Sequence, residues 1–404
     1  MKTNFLYCTL IISFLLTACA ARSVRSETTG LWVECQGSND TLSSRKKIVS
    51  MLDDAEKNNI NTVFAQIFRH DKAWFNTNRF DNKPYRKFYD KERTNLLRFL
   101  IDEAHKRKIA VHGWVNILRI GRDKKANILK KYGPEIVTKD NKGRSMYDYP
   151  DLKLPGKDNE YYMADGTGLW LEAGDPRVQK YMLDMVKEVV YQYSDIDGIH
   201  LDFIRYPYVV PFSPGSRFPK GIEYGYGAGS AKRFKKKYGM DPLKPDMVTD
   251  HMQAWDDWRR DQVTDLVKKA RDLIRKKNRR IQLSAAVVCW ADRAYLTAFQ
   301  DWRRWLNDDL VDFICLMNYS IDPRLFNYIT ETGNAFKGDK KVYIGLGAYM
   351  LKNREKVFVE EIDECIGSDV DGIVLFSYDS MLKSPRQFDM VKDKFGEYKT
   401  KTGR

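Results

Sequence analysis

From Gly30 onward the chain alternates short apolar runs with longer segments in which apolar residues recur every three or four positions. A short apolar run bounded by turn residues reads as a buried strand, and the 3.6-residue recurrence reads as a helix lying on it. This pattern predicts eight strands, at 30–36, 61–68, 110–116, 197–205, 281–288, 311–319, 342–348 and 372–378. Between and after them it predicts helices at 43–58, 94–108, 176–193, 251–277, 356–367 and about 385–395. Ser43 or Ser44 is placed to cap the first helix, and Asp175-Pro176 sets a cap before a proline at the first helical position. Eight alternating units suit an α/β fold, a parallel (β/α)8 barrel spanning 30–398. The alternative is an open doubly wound sheet, which would carry a glycine-rich turn after an early strand; none is found.

Two predicted loops are enlarged, about 117–174 after the third strand and about 206–250 after the fourth, so both rise over one face of the barrel. The first contains Tyr147, Tyr149, Tyr161, Tyr162 and Trp170, an aromatic content that favours ordered loops shaping a cleft. The second holds Pro207, Pro211, Pro214 and Pro219, followed by several glycines. The formal charge of +14 raises the question of an anionic partner. The cations are spread through helical segments such as Lys268-Lys269 and Arg275-Lys276-Lys277, as solvated helix faces would have them. Zinc-finger spacing, a Walker loop and an RNA-binding aromatic motif are all missing, so neither nucleic acid nor a cofactor is expected.

The N-terminus bears on the compartment. Lys2 precedes an apolar run from Phe5 to Leu16 that ends in Leu16-Thr17-Ala18-Cys19. That is the layout of a signal peptide over 1–18, too short to be a comfortable bilayer span. The tetrad resembles a lipobox, which would make Cys19 an acylated first mature residue held in a lipid bilayer, with 19–29 as a polar tether. Ordinary cleavage near Ala18-Cys19-Ala20 and a soluble secreted protein is the alternative. Ala20 stands where an aspartate would signal inner-membrane retention, so the outer membrane is the expected destination. Cys8 leaves with the signal, and three of Cys35, Cys289, Cys315 and Cys365 sit in strand-like runs where buried free thiols are expected. Without a C-x-x-C pair neither metal binding nor redox chemistry by cysteine is expected; a disulfide stays open in an exported chain.

The candidate chemistry gathers at the C-terminal ends of the predicted strands, where barrel active sites lie. The fourth reads Asp197-Gly198-Ile199-His200-Leu201-Asp202-Phe203-Ile204-Arg205-Tyr206-Pro207. A carboxylate at the end of a buried strand carries a desolvation cost, tolerated where it is paired, bound to metal or used in chemistry. Pairing with Arg205 to fix a loop is the structural alternative for Asp202. Residues two apart share a strand face, so His200 with Asp202, and Trp114 with Asn116, are expected to point together into the mouth. Other strand ends offer Glu34, Gln36, Gln66, Arg69, His112, Trp290, Asp292, Asn318, Tyr319, Tyr349, Ser377, Tyr378 and Asp379.

Aromatic faces that stack on sugars, mixed with Asp, Asn, His and Arg that bind hydroxyls, suit a carbohydrate polymer. Glycoside cleavage needs two carboxyl groups. Asp202 is the first, and Asp292 and Glu34 rank above Glu172 and Asp379 as the second. Glu34 paired with Arg69, Asp292 as a helix cap, and Glu172 and Asp379 as loop residues are the structural alternatives. Trp114, Asn116, His200, Arg205, Tyr206, Asn318, Tyr319 and Tyr378 are the expected substrate-binding set. A metal site built from His112, His200 and Asp202, supporting deacetylation, is the rival; no H-x-x-E-H or H-E-x-x-H spacing supports it.

With these residues in view, the 197–207 run resembles the signature of the bacterial glycosyl-hydrolase-like proteins of family ten, a group of TIM barrels. Further stretches fit the same pattern: Glu103 to Arg107 leading into His112-Gly113-Trp114-Val115-Asn116, Trp170-Leu171-Glu172-Ala173-Gly174-Asp175-Pro176, Gln300-Asp301-Trp302 with Trp305, Met317-Asn318-Tyr319, and the closing run from Asp371 to Tyr378. The resemblance covers about 30–395. It implies a carbohydrate-active TIM barrel with Asp202 at the catalytic position after the fourth strand; joined to the export signal, the expectation is a glycoside hydrolase acting on a polysaccharide at the cell envelope. A non-catalytic glycan-binding lipoprotein is the competing reading. Glu34 departs from the pattern, which has a hydroxyl or small residue there.

Overall fold

The computed structural model describes residues 28–402 apart from 157, 159–161, 165–167, 212–220, 245–248 and 369. The signal segment, Cys19, all but the last two residues of the tether, Tyr161, Pro214 and Pro219 lie outside the described residues. Eight parallel strands close on themselves: β1 (Thr28–Val33), β2 (Thr62–Arg69), β3 (Ala110–Asn116), β4 (Gly198–Asp202), β5 (Gln282–Val288), β6 (Phe313–Asn318), β7 (Lys341–Leu346) and β8 (Gly372–Leu375). Each pairs with its sequence neighbours, and β1 pairs with both β2 and β8, so the barrel has no free edge. The predicted (β/α)8 architecture is the observed one.

Helices cover the outside, among them Arg45–Lys57, Leu96–Lys106, Pro176–Gln192, Thr249–Lys277, Pro323–Ala335 and Glu355–Gly367. Ser44, rather than Ser43, caps the first by accepting from the Lys47 N–H, and Asp175 caps Pro176–Gln192 by accepting from the Arg177 N–H. The helix Pro323–Ala335 was not predicted, although Asp322-Pro323 repeats the cap-and-proline signal of Asp175-Pro176.

Inside the barrel, Trp32, Phe64, Trp114, Ala286, Phe313, Cys315, Tyr343 and Val374 form a core of their own, separate from the one between strands and helices. Close packing of these rings depends on glycines opposite them. A Cβ on Gly198 would sit 2.2 Å from the His112 Nδ1, and one on Gly345 would sit 2.9 Å from the Trp32 ring. At the N-terminal end a repeated device fixes the strands. The residue just before each even-numbered strand accepts the backbone N–H of the odd-numbered strand preceding it. Asn61 accepts from Thr29, Asp197 from Val111, Asp312 from Leu283 and Asp371 from Val342, at 2.7–3.1 Å.

The enlarged loops rise over the opposite end and are stitched to each other. Tyr162–Ala164 of the first pairs with Val209–Pro211 of the second, while Arg119–Gly121 and Leu169–Trp170 pair within the first. Glu172 is buried at their junction. Its carboxylate accepts from Thr138 Oγ1, the backbone N–H groups of Gly174 and Gly227, and the Tyr206 hydroxyl. Cys35, Cys315 and Cys365 are buried, Cys289 half-buried, and all four are free thiols.

Candidate active site

Strand alternation carries His200 and Asp202 inward on β4, in register with Trp114 and Asn116 of β3. β4 stops at Asp202, earlier than the predicted 205, because Phe203 adopts a left-handed backbone (φ 51°). That turn aims the Phe203 N–H back at Asp202 Oδ1, 2.7 Å away, while the Trp114 indole donates to Oδ2 at 3.0 Å. Left-handed backbone is uncommon for an aromatic residue and is the kind of local strain that collects at functional sites. Asp202 is 6% exposed. Burial holds its carboxyl above the usual carboxylate range, against the opposing pull of the Arg205 guanidinium and these two hydrogen bonds.

Asp202 lines a cavity of about 210 Å³ together with Trp32, Glu34, Gln66, Arg69, Trp114, Asn116, Arg119, Phe203, Met317, Tyr319 and Phe376. Glu34 lies just past β1, with its side chain 23% exposed. Its Oε1 stands 3.3 Å from Arg69 Nη1, and its Oε2 accepts from the Ser377 hydroxyl at 3.2 Å. Arg69 also donates to Gln66, whose amide donates to Asn116 Oδ1 at 3.3 Å. The cavity thus brings two carboxyl groups, one buried and one ion-paired, together with a polar network and aromatic walls. Burial, then the charge of Asp202, pushes the Tyr319 phenol up, so it stays a neutral hydrogen-bonding group.

Of the expected substrate-binding set, Trp114, Asn116 and Tyr319 line this cavity. The others stand elsewhere. His200 is buried one layer beneath. Its Nε2 accepts from the Trp32 indole at 3.2 Å, which leaves Nδ1 to donate to Ser284 Oγ at 2.9 Å. Burial keeps its pKa well below the normal value, so it is a neutral interior support for Trp32. His112, in the same interior, is held near 4 by burial and lies against Phe64 and Phe313. No group of three or more His, Cys, Asp or Glu among the described residues is placed to hold a metal ion.

Arg205 is buried beside the rings of Trp170, Phe203 and Tyr208, and acts on Asp202 by charge rather than lining its cavity. Tyr206 is buried in the loop junction against Glu172. Asn318 faces outward by strand parity, its amide donating to the Phe326 carbonyl and Thr330 Oγ1 of the helix behind β6. Tyr378 begins a helix and donates to Asp54 Oδ2 at 2.7 Å on the outer side.

Among the candidate second carboxylates, Asp292 is exposed on the first turn of Ala291–Leu296 and does not line the cavity. Asp379 accepts from the Asn39 N–H and Ser38 hydroxyl, tying down the loop after β1. Glu172 holds the loop junction. Glu34 alone of the four shares the cavity of Asp202. Trp32, Arg119, Phe203, Met317 and Phe376 were not anticipated. Trp32 and Phe376 could have been found by stepping two residues from Glu34 and Val374, whereas Arg119 depends on the stitched loops.

Known relatives bear on this geometry. Over 339 residues the chain is 23% identical to the glycosyl hydrolase YngK of Bacillus subtilis, a match covering 76% of this chain and 56% of that protein. It is 25% identical over 345 residues to the glycosyl hydrolase DigH of Escherichia coli strain K12, covering 79% and 70%. The catalytic domain of a β-amylase from Paenibacillus polymyxa superposes with a TM-score of 0.60 at 10% identity, over 91% of this chain and 97% of that one. A GH42 β-galactosidase from G. stearothermophilus does so with 0.60 at 13% identity, over 94% and 57%. These superpositions are likenesses of fold. Residues 27–327 match the family Glycosyl hydrolase-like 10, and the chain belongs to that family.

Proposed function

We propose that this protein is a glycoside hydrolase that cleaves a polysaccharide of the cell envelope with two carboxyl groups, Asp202 and Glu34. The observation that carries the reading is their presence in one cavity walled by Trp32, Trp114, Tyr319 and Phe376. Asp202, held protonated to higher pH by burial, is the acid that donates to the glycosidic oxygen. Glu34 is the partner on the other side of the scissile bond, acting as nucleophile or as base toward water. Trp114 and the Phe203 N–H fix the Asp202 carboxyl and stabilise the charge it acquires on giving up its proton. The family and the named relatives support a glycosidase-type activity.

The test is the release of new reducing ends from a panel of end-labelled bacterial and plant polysaccharides, with and without a chelator. Cleavage unaffected by chelator is expected. Binding without cleavage across the panel would instead favour a glycan-binding protein on a barrel scaffold. The proposal extends to export and acylation of Cys19, which would hold the enzyme at the envelope, with the outer membrane the expected site. Cys19→Ser should then move the protein from the membrane fraction to the soluble one; unchanged fractionation would remove the anchor.

A further inference from the structure

A second chamber of about 580 Å³ adjoins the cavity of Asp202 and shares three wall residues with it, Phe203, Met317 and Tyr319. It extends across the β5–β6 side of the mouth to Trp290, Arg293 and Ile321. Resting on the hydrolase reading above, we infer that this chamber is a second sugar subsite: it takes a neighbouring pyranose unit of the polymer, stacked on Trp290, while the unit being cleaved lies at Asp202.

Three observations carry the inference. The chambers are lined in common by Phe203, Met317 and Tyr319, so they lie side by side at the mouth, where one polymer can reach both. The wall chemistry is the same mixture in both: aromatic faces (Tyr208, Trp290 and Tyr319 here) beside hydrogen-bonding groups, here Arg205, Arg293 and Ser320. Such a concave, largely apolar surface with a few convergent polar groups is the usual form of a ligand site. Third, large apolar side chains are left in water along this side. Ile321 is 41% exposed, Tyr349 51% and Tyr328 57%; Tyr328 stands 6.2 Å from the Trp290 ring and Tyr349 6.0 Å from the Tyr319 ring. Exposed apolar groups that gather at a cleft mark a contact surface rather than scatter. On the β3–β4 side, by contrast, the enlarged loops are stitched together over Glu172. The polymer track therefore runs toward β5 and β6.

Trp290 does not line the cavity of Asp202, so its loss should spare the chemistry and weaken only longer ligands. The probes are fluorophore-labelled β-1,4-linked oligomers of N-acetylglucosamine, glucose and mannose, from dimer to hexamer. They are titrated against the full chain as wild type, Trp290→Ala and Trp290→Phe, and cleavage is followed in parallel. On the series that binds, affinity should rise with length for the wild type and fall about tenfold for the longer oligomers in Trp290→Ala. Trp290→Phe should restore most of it, with kcat unchanged and KM carrying the effect. Wild-type cleavage with unchanged long-oligomer affinity in Trp290→Ala would overturn the subsite and leave the hydrolase reading standing. Length-dependent binding through Trp290 without cleavage would do the reverse. A wild type that binds none of the oligomers would overturn both.

Discussion

The two ends of this barrel use the same residue types in opposite ways. At the N-terminal end Asp197, Asp312 and Asp371, with Asn61, each accept a strand N–H at 2.7–3.1 Å. There the acceptor is spent on backbone, and it repeats at every second strand. At the C-terminal end Asp202 also accepts a backbone N–H, but from a residue held in a left-handed turn, and its other oxygen faces an indole and a cavity. None of the four acceptors at the bottom lines that cavity. The contrast teaches that a carboxylate at the end of a barrel strand is not by itself a functional signal. Its end of the strand, and what its second oxygen faces, decide.

The sharpest way to break this comparison is to neutralise one group at each end. Glu34→Gln should lower turnover about 10²–10⁴-fold, the range for a lost acid–base partner, and change stability by less than about 1 kcal/mol, since its ion pair with Arg69 is partly solvated. Steady-state kinetics beside denaturant unfolding would show it. Equal losses of stability and activity would assign Glu34 to the scaffold. Asp371→Ala should do the converse. It removes the acceptor of the Val342 N–H and the partner of Lys337, costing about 1–3 kcal/mol in urea unfolding while kcat of the folded enzyme is retained.

A further expected effect lies away from both ends, on the helix Glu355–Gly367. Glu361 is buried with neither carboxyl oxygen bonded, and burial pushes its pKa up to about 8. An unfolded glutamate titrates near 4.5, so unfolding between these values releases a proton. Wild-type stability should therefore be full below about pH 4.5 and decline as pH rises toward 8. Glu361→Gln should lose that decline and become relatively more stable at alkaline pH. Parallel pH profiles of the two proteins would cast Glu361 as bonded in solution.

Much of this was legible from alternation alone. Eight apolar runs foretold the closed sheet, and the two-residue step from His200 to Asp202 and from Trp114 to Asn116 placed both pairs on inward faces. Alternation decides less where the strands end. Asn318 and Tyr319 are adjacent, so they cannot both face inward, and parity gives the mouth to Tyr319. Tyr378 was read as strand, but β8 stops at Leu375 and a helix begins, leaving Phe376 as the ring in the cavity. His200 shares its face with Asp202 yet sits one layer deeper, where height along the barrel, not face, decides between chemistry and packing. Glu172 and Tyr206 are near the mouth in sequence, but the buried bond between them depends on two loops meeting, which no local pattern records.

The most direct measurement of the central claim is Asp202→Asn on whichever polysaccharide the wild type cleaves, with binding and unfolding followed on the same samples. Loss of at least about 10²-fold in turnover, with affinity and stability near wild type, is the result the geometry predicts. An Asp202→Asn enzyme that keeps its turnover, or loses it only as it unfolds, would contradict it and return Asp202 to the company of the carboxylates at the other end of the barrel.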